Sequence, residues 1–229
     1  MKKLICLMVF LLQSVIADSL GAEVLFHAGF EEKEGYVEGI LDRQNSWKML
    51  GWSHRSAGLK VTTEKNHSGS CSIVGNRGWI GASNVFPPSP EIEISIYIFA
   101  DSETTINNDP KMDVYADDHV RVAAWMVDEK THELRYWNGA WVNTSVIFKD
   151  DNWNKIRVVL SVFDEKWILY YTGASGKEEV VQADITFGGS KSNYYSNLTS
   201  FDIWSDSGDK AGSQTYFDDL VVKSVSSDW

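Results

Sequence analysis

The sequence predicts an all-β protein, an antiparallel sandwich or barrel, on three observations. Apolar residues alternate at period two along most of the chain. Breaks rich in Asp, Asn and Gly recur about every 8 to 15 residues, with no helical pattern between them. The chain also carries 10 Trp, 9 Tyr and 10 Phe against 4 Pro, and aromatic rings fit a pleated, half-buried surface.

Residues 23–30 form the first strand, and residues 35–56 are irregular around Trp47 and Trp52. A strand at 70–74 carries Cys71, which reads as a small buried hydrophobe. Residues 91–98 alternate most cleanly: Ile92, Ile94, Ile96 and Ile98 share one face, and Glu93, Ser95 and Tyr97 the other. The isoleucine stripe should lie between sheets with Val120, Val122, Leu160 and Leu169. Residues 111–116 turn Met112 and Val114 inward, Asp113 and Tyr115 outward. In 120–127, strict alternation sets Val120, Val122, Ala124 and Met126 against Arg121, Ala123, Trp125 and Val127. Residues 133–138 separate Leu134 and Tyr136 from Glu133, Arg135 and Trp137. Asn138-Gly139 is a hairpin turn, because both residues tolerate positive φ. Further strands are expected at 141–148, 155–163, 166–172, 179–187, 200–204 and 216–223, with Trp153, Trp167 and Trp204 in the core.

The first residues read as an address. Lys2 and Lys3 precede an apolar run to Ile16, and Val15-Ile16-Ala17 offers a cleavage site, with a second possible cut after Ala22. Residues 1–17 are therefore a secretory signal peptide and 23–229 a single domain, secreted or periplasmic. The apolar run is short for a bilayer span, and no later segment approaches the length of one. A cut after Ala17 removes two of the 21 basic residues and none of the 32 acidic ones, so the charge of −11 becomes −13. Such a surface repels phosphate backbones and anionic membranes, which excludes nucleic acid as a partner and argues against membrane docking. Cleavage also leaves Cys71 as the single cysteine, so no internal disulfide is possible. The five histidines show no zinc spacing, and there is no phosphate loop, nucleophile elbow or Cys-x-x-Cys pair.

Several segments are familiar together. Phe30-Glu31-Glu32 with Gly39-Ile40-Leu41-Asp42 and Gln44-Asn45-Ser46-Trp47 is similar to the opening of concanavalin A-like, laminin-G-like jelly rolls of secreted bacterial proteins. His67-Ser68-Gly69-Ser70 resembles a turn of that superfamily. Asn152 to Val158, together with Trp167 to Gly173, resembles its paired central strands, and Phe217-Asp218-Asp219-Leu220-Val221-Val222 its closing strand. The resemblance implies an antiparallel two-sheet jelly-roll β-sandwich whose first and last strands pair. Related jelly rolls place calcium near the chain ends. Here Glu31, Asp218 and Asp219 would converge as ligands, since Ca2+ takes six to eight oxygens.

The superfamily holds lectins, binding modules, glycoside hydrolases and polysaccharide lyases, so fold alone does not choose among them. Binding of a polysaccharide is the first reading. Trp125 and Trp137 would stack on sugar rings, and Arg121 and Arg135 would pair with acidic groups of an acidic glycan. Glu93, Tyr97, Asp113 and Tyr115 would complete that patch if the strands share a sheet. A lyase acting by β-elimination on a uronate would draw on Arg121, Tyr97, Tyr115 and His119. A hydrolase built on Glu91 and Glu93 lacks further acids along its strand. A cell-surface adhesion domain is the remaining alternative.

Overall fold

The computed structural model describes residues 22–50, 58–75, 79–101, 109–128, 130–189, 195–206 and 214–226. The expected signal peptide, residues 1–17, and Trp52 lie outside the described residues.

Sixteen strands are found among the described residues. They are β1 Val24–Ala28, β2 Gly39–Ile40, β3 Lys48–Leu50, β4 Lys60–Thr62, β5 Ser72–Gly75, β6 Trp79–Ser89, β7 Glu91–Ala100 and β8 Asp109–Ala116. Then come β9 Val120–Val127, β10 Glu133–Trp137, β11 Trp141–Ile147, β12 Trp153–Ser161, β13 Lys166–Thr172, β14 Glu178–Thr186, β15 Leu198–Asp206 and β16 Thr215–Ser224. Every pairing is antiparallel. One sheet runs β14-β13-β12-β7-β16-β5-β4-β2, with β1 added to β16, and the other runs β11-β10-β9-β8-β15-β6-β3. The expected two-sheet sandwich is present, and its first and last strands pair through Phe26↔Val222 and Ala28↔Leu220. Strand β6 and the short β2, β3 and β4 carry no clear alternation and were not anticipated.

The core lies between the sheets, and the isoleucine stripe is its spine. Ile92, Ile94, Ile96 and Ile98 are buried, opposite Leu160, Val158 and Ile156 on β12. Trp125, Met112, Ile203 and Phe201 close over them from the seven-stranded sheet. Leu169 and Val122 are buried as expected, whereas Val120 is only half-buried at the start of β9. Each fully buried isoleucine contributes about 1.5–3 kcal/mol.

Two features redistribute the side chains that alternation assigned to one patch. Strand β7 belongs to the nine-stranded sheet and β8 to the seven-stranded one, so Glu93 and Tyr97 lie on the opposite side of the sandwich from Asp113 and Tyr115. Strand β9 is bulged. Tyr115 pairs with Arg121 but Val114 pairs with Ala123, leaving Val122 as the extra residue. The insertion inverts the remainder of β9, so Trp125 faces inward at 1% exposure beside Met112 and Tyr136. Trp125 is therefore a core residue and no sugar platform.

Ile96→Ala should cost about 2–5 kcal/mol, through lost burial and a cavity between the sheets. Urea denaturation should show a lower midpoint with an unchanged slope.

Candidate functional site

The outer face of the seven-stranded sheet carries the chemistry. Three rows of outward positions cross it. One reads Lys48, Ser83, Asp202, Asp113, Ala124, Trp137 and Trp141 from β3 to β11. The next reads Gly81, Trp204, Lys111, Met126, Arg135 and Asn143, and a third Val85, Ser200, Tyr115 and Arg121.

At the centre two short acids are recessed among long side chains. Asp113 is 2% exposed and Asp202 9%. Asp113 forms ion pairs with Lys111 Nζ at 2.8 Å and Arg121 Nη1 at 3.3 Å. Asp202 accepts the Tyr115 hydroxyl. Burial raises the Asp202 carboxyl to about 6; the Tyr115 hydrogen bond opposes that rise and neighbouring Asp113 adds to it. Burial, with Asp113 and Asp202 alongside, also pushes the Tyr115 phenol up. Ser200 Oγ is buried and has no hydrogen-bond partner among the described residues.

The tryptophans divide differently from expectation. Trp204, anticipated in the core, lies on this outer face. Its indole rests flat on the backbone of Gly81, where a Cβ would come within 2.5 Å of the ring. Lys111 Nζ lies 5.6 Å from the centre of the Trp204 ring. Trp137 is on the face as anticipated, but the Arg121 guanidinium covers it at 4.0 Å and the Gly188 backbone packs on its six-membered ring. Trp141, its cross-strand partner on the edge strand β11, is 37% exposed. Trp153 was also expected inside, yet it sits on the outer face of the other sheet against Phe99 and His67. Trp167 is in the core.

Of the anticipated binding residues, the fold brings together Asp113, Tyr115, Arg121, Arg135 and Trp137. Arg135 pairs with Asp128 at 2.7 Å, and its Nε is buried without a partner among the described residues. Of the anticipated lyase set, Tyr115 and His119 stand edge to face at 6.0 Å, next to Arg121. Tyr97 is elsewhere: it stacks on His67 at 3.5 Å on the nine-stranded sheet. On that sheet Glu93 is bound to Arg157 at 3.0 Å, and Arg157 also reaches Glu178.

The residues expected to hold calcium meet where β16 changes partners. Its first residues pair with β5 and its last with β1, and Asp218-Asp219 sits between, with Asp219 at φ +47°. Asp218 Oδ2 accepts from His67 N at 2.8 Å and Ser68 N at 3.1 Å, and Asp219 N donates to Asp218 Oδ1 at 2.7 Å. Asp219 holds His67 Nδ1 at 2.6 Å and Ser68 Oγ at 2.7 Å. Glu31 Oε1 accepts from Ser70 N at 2.8 Å and Cys71 N at 3.0 Å. Gly69, at φ +63°, leaves room for that carboxylate. Calcium needs a shell of oxygens; here these carboxylates accept hydrogen bonds from the chain's own N–H and O–H groups. Among the described residues, no three His, Cys, Asp or Glu side chains are grouped to hold a metal.

No protein-family profile matches the chain, and no curated protein matches it in sequence. Solved structures do resemble it. A sialidase superposes on 89% of the chain with a TM-score of 0.61 at 10% identity, and the chain spans 19% of that sialidase's length. The catalytic domain of the glycoside hydrolase family 131 protein from Coprinopsis cinerea covers 89% of this chain and 95% of its own, with a TM-score of 0.59 at 9% identity. Lectin II from Ulex europaeus covers 87% and 97%, with a TM-score of 0.55 at 6% identity. At these identities the likeness shows the fold alone: an all-β jelly roll of two antiparallel sheets.

Burial raises Asp218 to about 6, against the lowering effect of its amide hydrogen bonds. A raised carboxyl favours the folded state below its ordinary value, and that contribution is lost as pH rises through about 6. The wild type should therefore lose stability relative to Asp218→Asn between about pH 4 and about pH 7, read from urea midpoints. Dialysis against EDTA should leave the melting midpoint in place, and a fall reversed by added Ca2+ would instead establish the cation.

Proposed function

We propose that this protein is an exported carbohydrate-binding domain whose seven-stranded outer face takes a glycan chain. The observation that carries the reading is the continuous outward row of Ser83, Asp202, Asp113, Trp137 and Trp141, which sets recessed acids beside aromatic rings, with Trp204 two residues along β15 from Asp202. A pyranose stacked on the Trp204 indole turns its ring hydroxyls toward Asp202, Ser83 and Lys111. Carboxylates and ammonium groups make the stronger, charge-assisted hydrogen bonds to such hydroxyls. Trp141 offers a second apolar contact four strands away, about 19 Å at the spacing of sheet strands. That span suits a chain rather than a single sugar.

The composition of the face supports a neutral glycan over the acidic one anticipated. Lys111 and Arg121 are engaged by Asp113, and Arg135 by Asp128. An incoming uronate would have to compete with those carboxylates and would meet Asp202 as a like charge. β-Elimination is the weaker alternative. Its base must lose a proton readily, whereas Tyr115 is pushed up and Tyr97 belongs to the other sheet. The apolar leader supports export to a secreted or periplasmic location. Among the described residues, no helix is long and apolar enough to cross a membrane.

Native gels cast with laminarin, xyloglucan or galactomannan should retard the protein more than gels cast with alginate or pectin. Trp204→Ala should weaken retention about tenfold or more, taking about 1–3 kcal/mol for a ring stacked on an aromatic side chain. Ultraviolet absorbance of unsaturated uronates on alginate or pectin would instead establish a lyase. Unchanged retention by a folded Trp204→Ala variant would exclude this face.

A further inference from the structure

Asp113 and Asp202 stand directly opposite each other on β8 and β15. Opposed residues of an antiparallel pair hold their Cβ atoms about 4.5–5.5 Å apart, so two short carboxyl side chains on one face meet. Their partners are unequal. Asp113 has both Lys111 and Arg121, whereas Asp202 has the Tyr115 hydroxyl and no ion pair among the described residues. Around Asp202, β8 contributes Lys111, Asp113 and Tyr115, and the β8–β9 turn contributes His119. Arg121 comes next on β9, and β6 offers only the neutral Gly81 and Ser83, with Lys48 beyond on β3. Two residues along β15, Ser200 is buried on the same face, and its hydroxyl has no partner among the described residues.

A neutral glycan laid across this face would strip the remaining water from Asp202 without supplying a cation. Removing water strengthens the repulsion between the two carboxylates and penalises the charged form of the less compensated one. We propose that the site takes up one proton when a neutral glycan binds, and that Asp202 carries it. This rests on the glycan reading of the same face. Protonated Asp202 keeps one oxygen as acceptor for the Tyr115 hydroxyl, and its new O–H donates to a glycan oxygen or to Ser200 Oγ. The free protein is already poised for this, since burial first and Asp113 with it hold the carboxyl at about 6. Affinity then falls about tenfold for each pH unit above about 6, until the higher pKa of the complex is reached.

Calorimetry on the full chain tests this, using whichever of laminarin, xyloglucan and galactomannan retards it most. Titrations at about pH 5, 6.5 and 8, in two buffers of different ionisation enthalpy, should show uptake of close to one proton near pH 7. Asp202→Asn should abolish the uptake and flatten the pH dependence, and His119→Gln should preserve both. A wild-type affinity that is flat from pH 5 to 8 overturns the proposal, as does uptake that survives in Asp202→Asn or vanishes in His119→Gln. If Asp202→Asn does not fold, the two-buffer measurement on wild type decides alone. Failure of every glycan to retard the protein removes the glycan reading itself, whereas binding without proton uptake removes only this proposal.

Discussion

The nine-stranded sheet depends on one strand that serves three partners. Strand β16 pairs along one edge with β7 and along the other first with β5 and then with β1. Where it passes from β5 to β1 there is no strand to satisfy the neighbouring amides. The Asp218 carboxylate fills that gap by accepting the amides of His67 and Ser68, and Glu31 does the same for Ser70 and Cys71. Backbone donors shielded from water are costly when unpaired, and three of these four bonds are part-buried. These acids therefore replace ladder hydrogen bonds that the topology cannot supply.

The opposite sheet uses acids for another purpose. A meander of β8 to β11 lies beside β15, and the outward positions of these strands form a continuous face. Asp113 fixes Lys111 and Arg121, and Arg121 in turn lies over Trp137. One buried carboxylate thus orders two cations and one indole. Placing the face on strands rather than loops gives those groups a fixed spacing.

Much of this was legible in the sequence, and the losses have identifiable causes. The isoleucine stripe survived because β7 lies inside the nine-stranded sheet and can bury four branched side chains only on the face turned to the other sheet. The pairing of first and last strands was visible through the resemblance of both ends to one superfamily. Asp113, Tyr115, Arg121, Arg135 and Trp137 do share a face, because β8, β9 and β10 are consecutive neighbours. Trp125 was lost to a single inserted residue, Val122, which shifts the strand by one step and inverts everything after it. Glu93 and Tyr97 were lost to a crossing between sheets that alternation within a strand cannot reveal. Trp204 was misplaced for a non-local reason. It is an aromatic in an apolar strand, and only the pairing of β15 with β6 sets Gly81 beneath it.

The central place of β16 has a consequence for how the chain is made. Until residues 215–224 leave the ribosome, β7 has one edge bare, and β1 and β5 lack their shared neighbour. Non-local pairings of this kind close slowly, and the centre of the nine-stranded sheet waits for them. The same delay leaves the backbone edge of β7 unpaired, and such an edge can pair with other chains.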